Sequence, residues 1–230
     1  MGEAIITRRG GSGEVIVEFD NFIPSDPSFI YSAPTALSVA RSNLAGASVG
    51  DYALFAGGRS GSSSYSNTVN AYDTSLTRST PTALSVARSN LAGASVGNYA
   101  LFAGGYDGSD YRNTVDAYNA SLTRSTPTTL PMERADLAGA SVGDYALFAG
   151  GYDDLGDYHN TVNAYDTSLT RSTPTALSVA RSNLAGASVG DYALFAGGRS
   201  GSSSYSNTVN AYDTSLTRST PTALSVARSN

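Results

Sequence analysis

The sequence predicts an all-β protein, a β-propeller of four complete four-stranded blades, either closed or an open part of a larger ring. Three observations predict it. A unit of 46 or 47 residues recurs, starting at Pro34, Pro81, Pro127 and Pro174, with a fifth start at Pro221. A period near that length suits four-stranded blades or paired-helix repeats. Gly, Ser, Thr, Asn and Asp punctuate every unit, and no apolar stripe at 3.6-residue spacing is long enough for two helices, so the short apolar runs between turns read as strands.

Residues 1–28 read as an N-terminal extension. A Gly/Arg stretch at 7–13 has linker composition. An alternating run at 14–20 (EVIVEFD) predicts one strand, and 21–28 (NFIPSDPS) predicts a loop. Residues 29–230 carry the repeats, opening with an outer-type strand at 29–37 (FIYSAPTAL). The blades fall at about 44–84, 91–130, 137–177 and 184–224, with a partial unit at 221–230. The first and fourth units are identical at every position, as recent duplication would leave them. The fifth stops ten residues in, as a truncated or incompletely read array would.

The first unit illustrates the strands. Residues 44–49 (LAGASV) are small and suit an innermost strand, where blades converge. Gly50-Asp51 is a turn signal, repeated at Gly97-Asn98 and Gly143-Asp144. Residues 52–56 (YALFA) form a continuous apolar run, as expected of a strand covered on both faces. Gly57-Gly58 ends it, and a loop runs to about residue 66. Residues 67–73 (NTVNAYD) place Val69 and Ala71 on one face and Tyr72 on the other. Residues 78–84 (RSTPTAL) hold Pro81, which fits only an edge strand, and a proline there also discourages edge-to-edge aggregation.

These landmarks resemble the kelch repeat. The doublets are Gly57-Gly58, Gly104-Gly105, Gly150-Gly151 and Gly197-Gly198. The tyrosines that follow are Tyr72, Tyr118, Tyr165 and Tyr212. The arginines before the next inner strand are Arg41, Arg88, Arg134, Arg181 and Arg228. The resemblance spans residues 34–230 and implies a propeller, which in that family commonly closes with six or seven blades. One departure concerns a family tryptophan just after the tyrosine, where this chain has Arg78, Arg124, Arg171 and Arg218. An arginine can lay its stem on apolar surface and keep its head in water. Copper oxidases of the family need two histidines and a Cys-linked tyrosine, so their activity does not carry over. Residues 1–13 (MGEAIITRRGGSG) resemble the start of some bacteriophage and prophage structural proteins.

Composition excludes several chemistries. With no Cys, there are no disulfides, thiolate metal sites or Cys nucleophiles. With one His, no site is built by this chain from several imidazoles. A formal net charge of -5 and a pI near 4.7 argue against a nucleic-acid footprint. No apolar run approaches the roughly 18 residues of a membrane helix. The apolar patch at 4–6 is too short for a signal peptide. The sequence implies neither metal nor cofactor.

Candidate site residues lie in the loops between second and third strands, where the units differ most. These loops share a propeller face with the connections between blades. The first and fourth contribute Arg59, Tyr65, Arg199 and Tyr205. The second contributes Tyr106, Asp107, Asp110, Tyr111 and Arg112. The third contributes Tyr152, Asp153, Asp154, Asp157, Tyr158 and His159. Variation on a rigid frame suggests recognition, while exposed loops also drift. Tyrosine supplies contact area at low entropy cost, and Ser and Gly adapt. The five acids match no calcium loop, and nothing fixes the carboxylate separation a glycosidase needs. Two readings are open for the repeated arginines before the inner strands: they bond carbonyls between blades, or they ring the channel mouth and attract anions. The expected function is a non-enzymatic binding module for a protein or glycan, with self-association if the ring is open. The alternatives are a carbohydrate-active enzyme on the same scaffold and an amplified array without a dedicated ligand.

Overall fold

Sixteen strands and no helix make up residues 34–229, which are the residues described by this computed structural model. The chain divides into two compact units, Met1–Ala33 and Pro34–Asn230. The expected strand at 14–20, the loop at 21–28 and the start of the 29–37 strand lie outside the described residues. Residues 34–37 carry no strand. Among the described residues no helix is long and apolar enough to cross a membrane.

The first blade comprises β1 (Ala45–Val49), β2 (Tyr52–Ala56), β3 (Val69–Tyr72) and β4 (Arg78–Ser79). The second has β5 (Ala92–Val96), β6 (Tyr99–Ala103), β7 (Val115–Asn119) and β8 (Arg124–Ser125). The third has β9 (Ala138–Val142), β10 (Tyr145–Ala149), β11 (Val162–Asp166) and β12 (Arg171–Ser172). The fourth has β13 (Ala185–Val189), β14 (Tyr192–Ala196), β15 (Val209–Asp213) and β16 (Arg218–Ser219). Each blade is one antiparallel sheet with its strands in chain order.

Local chemistry sets these bounds. The inner strand starts one residue later than the sequence predicts, because the residue two before it (Asn43, Asn90, Asp136 or Asn183) adopts a left-handed φ of 52–57°. The fourth strand is the main correction. It spans Arg78–Ser79 rather than 78–84, because Pro81 has no N–H to extend the ladder and the chain leaves as the linker to the next blade. Between β3 and β4, the Asp73 carboxylate accepts the N–H groups of Ser75 and Thr77, both at 2.9 Å, and so closes the turn.

The repeated tyrosines, arginines and glycine doublets have structural roles. Tyr118 OH donates to Thr82 O at 2.8 Å, and Arg124 donates to Ala83 O at 2.8 Å. The tyrosine and the arginine that follows it thus strap the incoming linker onto the blade. Tyr212 and Arg218 do the same at Thr175 O and Ala176 O. At the glycine doublet the two linkers pass closely. A Cβ at Gly57 would lie 2.6 Å from Arg88 O, and one at Gly58 would lie 2.7 Å from Ser42 O.

Blades stack through their inner strands, β1 on β5, β5 on β9 and β9 on β13. A Cβ on Gly93 would fall 2.2 Å from Gly46 O, and Gly139 and Gly186 meet the preceding blade equally closely. Serines stitch the same line. Ser48 N donates to Ser95 Oγ at 3.0 Å, and Ser95 Oγ donates to Ser48 O at 2.7 Å. Ser141 repeats this on Ser95, and Ser188 Oγ accepts from Ser141 N. Three apolar cores fill the junctions between consecutive blades. In the first, Val49 and Leu54 of one blade meet Phe102 and Tyr118 of the next. Burying each such side chain contributes about 1.5–3 kcal/mol.

Among the described residues the ring is open. β13 is exposed along all five residues, whereas β5 and β9 alternate buried and half-buried. A Cβ on Gly46 would meet only its own blade, and one on Gly190 would meet nothing within 4 Å.

Candidate functional site

Each loop between second and third strands is built on a small ladder. Tyr106 bridges Ser89 of the linker on one side and Tyr111 at the loop's far end on the other. Tyr152 bridges Ala135 and Tyr158, and Arg59 and Arg199 occupy the same place against Tyr65 and Tyr205. Linkers and loops therefore share one face of the arc, as the sequence predicts.

Acidic side chains build the second and third loops from within. Asp107 Oδ1 accepts the N–H groups of Ser109 at 2.9 Å and Asp110 at 2.8 Å. Its Oδ2 accepts Arg112 Nε at 2.8 Å and pairs with Arg112 Nη2. Burial pushes the Asp107 carboxyl up, but those backbone N–H groups and the guanidinium hold it below the usual carboxylate range. Asp153 repeats the pattern. It accepts Leu155 N at 3.0 Å and Asp157 N at 2.9 Å, and its Oδ2 lies 2.8 Å from His159 Nε2. Burial raises it, but the Asp157 N–H and the His159 contact outweigh that and leave it low. Asp110, Asp154 and Asp157 are exposed. Among the described residues no three His, Asp or Glu side chains gather as a metal site would require.

The tyrosines form a continuous row. Ring centroids lie 5.7 Å apart for Tyr65 and Tyr106, 5.2 Å for Tyr106 and Tyr111, 6.2 Å for Tyr111 and Tyr152, and 5.1 Å for Tyr152 and Tyr158. These tilted and edge-on contacts suit the aromatic quadrupole. All five rings are half-buried, and together they cross three blades. The Tyr65 ring reaches the second blade by lying over Gly108, where a Cβ would come within 2.6 Å of it. Tyr106 OH donates to Gly108 O at 2.8 Å. Arg199 and Tyr205 form a separate pair, with the guanidinium carbon 5.8 Å from the ring centroid. Arg59 is exposed.

A polar cavity of about 240 Å³ lies where the four inner strands begin, lined by Asn43, Asn90, Asp136, Asn183 and the leucines that follow them. Backbone bonds run along it, from Asn90 N to Asn43 O, Asp136 N to Asn90 O and Asn183 N to Asp136 O. Asn90 Nδ2 donates to Asp136 Oδ1 at 2.7 Å. Burial pushes the Asp136 carboxyl up, against the pull of the Asn90 and Asn183 amides. The Tyr111 hydroxyl is raised first by burial and then by the negative charge of Asp136. Sequence reasoning missed Asp136. The available signal was one acid at a position that is Asn in the other units.

Neither reading of the repeated arginines holds as stated: the side chains bond within their own blade, not between blades and not at a channel mouth. Arg88 is fully buried, donates to Gly104 O at 2.7 Å and Phe102 O at 3.2 Å, and pairs with Asp116 at 2.9 Å. Arg134 has Asn163 Oδ1 at 2.7 Å in place of that acid, and Arg181 has Asn210 Oδ1 at 2.9 Å. Fully buried guanidinium groups are out of reach of an anion at the channel mouth. At the ends Arg41 is half-buried and Arg228 exposed.

No family model matches the chain, and no curated protein matches it. Among solved structures it is similar to one titled "Structure of YjhT", with a TM-score of 0.69 at 15% identity over 86% of this chain and 70% of that one. At such identity the likeness concerns the fold alone. The fold is a β-propeller of repeated blades. In this propeller four blades form an arc, and the tyrosine row crosses three of them on one face.

Proposed function

We propose that this propeller is a non-enzymatic binding module of kelch type that captures a glycan or a protein partner on its tyrosine-lined face. The observation that carries the reading is the unbroken contact from Tyr65 through Tyr106, Tyr111 and Tyr152 to Tyr158. Such a row offers ring edges and hydroxyls over an extended strip, with side chains already held by one another. Preordered contacts lose little entropy on binding. A role without catalysis is supported by the engagement of the half-buried loop acids, Asp107 with Arg112 and Asp153 with His159, inside their own loops. Display on a phage particle or cell surface fits this role and rests on residues 1–13.

The test is binding of the native chain to glycan and peptide arrays, repeated with Tyr106, Tyr111, Tyr152 and Tyr158 all changed to Ala. Loss of those anchors is expected to weaken capture by at least about tenfold, the equivalent of about 1.4 kcal/mol. Undiminished capture by a folded quadruple variant removes the case for these loops.

A further inference from the structure

The two ends of the arc are complementary halves of one blade junction. At each internal junction the front of one blade receives the back of the next. Val96 and Tyr99 on the front of the second blade pack with Phe148, Tyr165 and Leu169 on the back of the third. On the fourth blade the same front residues, Val189 and Tyr192, are exposed. Of the corresponding back residues on the first blade, Phe55 and Leu76 are exposed, while Tyr72 stays buried. A cleft of about 240 Å³, lined by Ala185, Ala196, Gly198, Leu224 and Arg228, opens on the fourth blade. At the internal junctions a leucine occupies the matching place: Leu91, Leu137 and Leu184 lie over Gly57, Gly104 and Gly150. In the first blade the equivalent leucine, Leu44, is only half-buried.

We propose that the front of the fourth blade binds the back of the first blade of a second copy of this chain, so that arcs join head to tail. The first and fourth units are identical in sequence, so the joint would reuse residues that already make three internal junctions. Leu44 of the incoming copy fills the cleft. Its Ser48 hydroxyl completes the ladder at Ser188, and its Gly46 passes the Gly186 carbonyl as Gly186 passes that of Gly139. One segment must yield. Residues 34–43 and 221–230 are the same decapeptide, and the joint has room for one. The fourth blade holds its copy through Leu224 N to Asn207 O, Arg228 N to Ser206 O and Gly198 N to Arg228 O. The incoming decapeptide is already fastened to its own blade by Arg41, at 2.8 Å from Thr68 O and 2.9 Å from Asn70 Oδ1. Exchange of identical segments preserves those backbone bonds while the two apolar faces are covered. A contact of this kind is heterologous and leads to a ring or to a longer chain.

The unsubstituted chain of residues 1–230 is expected to show species above monomer mass that grow with concentration in sedimentation or light scattering. Gly46→Ala separates the joint from the fold. Within the chain its Cβ would make only ordinary contacts, with the Phe55 ring at 3.6 Å and Leu54 O at 3.9 Å. At the joint it would meet a carbonyl as closely as a Cβ on Gly186 meets Gly139 O, at 2.2 Å. Gly46→Ala is expected to be a folded monomer, with loss of the heavier species, and Gly61→Ala to associate like the native chain. A native chain that stays monomeric at every concentration overturns the proposal and assigns the ends to cover from within the chain. Association that survives Gly46→Ala overturns it by placing the contact on another face.

Discussion

The first and fourth blades share one sequence but differ in what they bury. Val49 is 3% exposed and its counterpart Val189 is 64% exposed. The order reverses on the other face, where Phe55 is 36% exposed and Phe195 fully buried. Arg41 is half-buried and Arg181 fully buried. A blade therefore has a front and a back with separate partners, and losing a neighbour exposes one of them without altering the sheet. Strand content is a property of the repeat, whereas burial is a property of its place in the arc.

The largest expected contrast lies on the back faces. Phe195→Ala is expected to cost about 3–5 kcal/mol, as fully buried aromatics do. Phe55→Ala should cost about 1 kcal/mol or less, as partly exposed side chains do. Urea titration, run dilute enough to keep copies apart, reads both. Equal losses would mean that the two backs are covered alike.

Glycine sharpens the comparison at the inner strand. Gly186→Ala forces a Cβ against Gly139 O and is expected to destabilise by about 1–3 kcal/mol. Gly46→Ala should stay within about 0.5 kcal/mol of the native chain. Thermal melts of the pair suffice, and a Gly46→Ala variant as damaged as its twin would show that the first blade has a neighbour on its back.

The smallest effect is alkaline. Burial pushes the Tyr165 and Tyr212 hydroxyls up from 10.0 to about 12, with Arg171 and Arg218 respectively, the largest opposing charges, partly counteracting it. Each raised phenol contributes stability that is fully present below pH 10 and is lost as pH rises from 10 towards 12, because the unfolded chain releases the proton first. Phenolate absorbance of the folded chain should show a late-titrating fraction, diminished in Tyr212→Phe. Ionisation of every tyrosine near pH 10 without unfolding would contradict the burial of these rings.

Much of this architecture was legible in the residues because it is local. The Gly50 turn, the YALFA strand and the Gly57-Gly58 break after it act within a few residues of themselves, whereas the fourth strand was read five residues too long, through Pro81. The candidate loops were legible as the variable part of a constant unit. The tyrosine row was not, because the contact of Tyr65 with Gly108 joins different units and depends on how far one blade is turned against the next. Asp136 went unnoticed because its role as the single acid in a row of asparagines exists only once four inner strands meet. The paired readings of Arg88 and its kin could not be separated in one dimension, since an arginine beside an inner strand can point to the axis or into the blade.

The sequence by itself determined the repeat, the four strands of each blade and the loops in which variation is concentrated, because backbone preference and side-chain alternation are short-range. Only the tertiary structure decided which copy of a residue is buried, that the tyrosines touch, and that the arc has two dissimilar ends. Those depend on the neighbour across a junction, and two identical segments can have different neighbours.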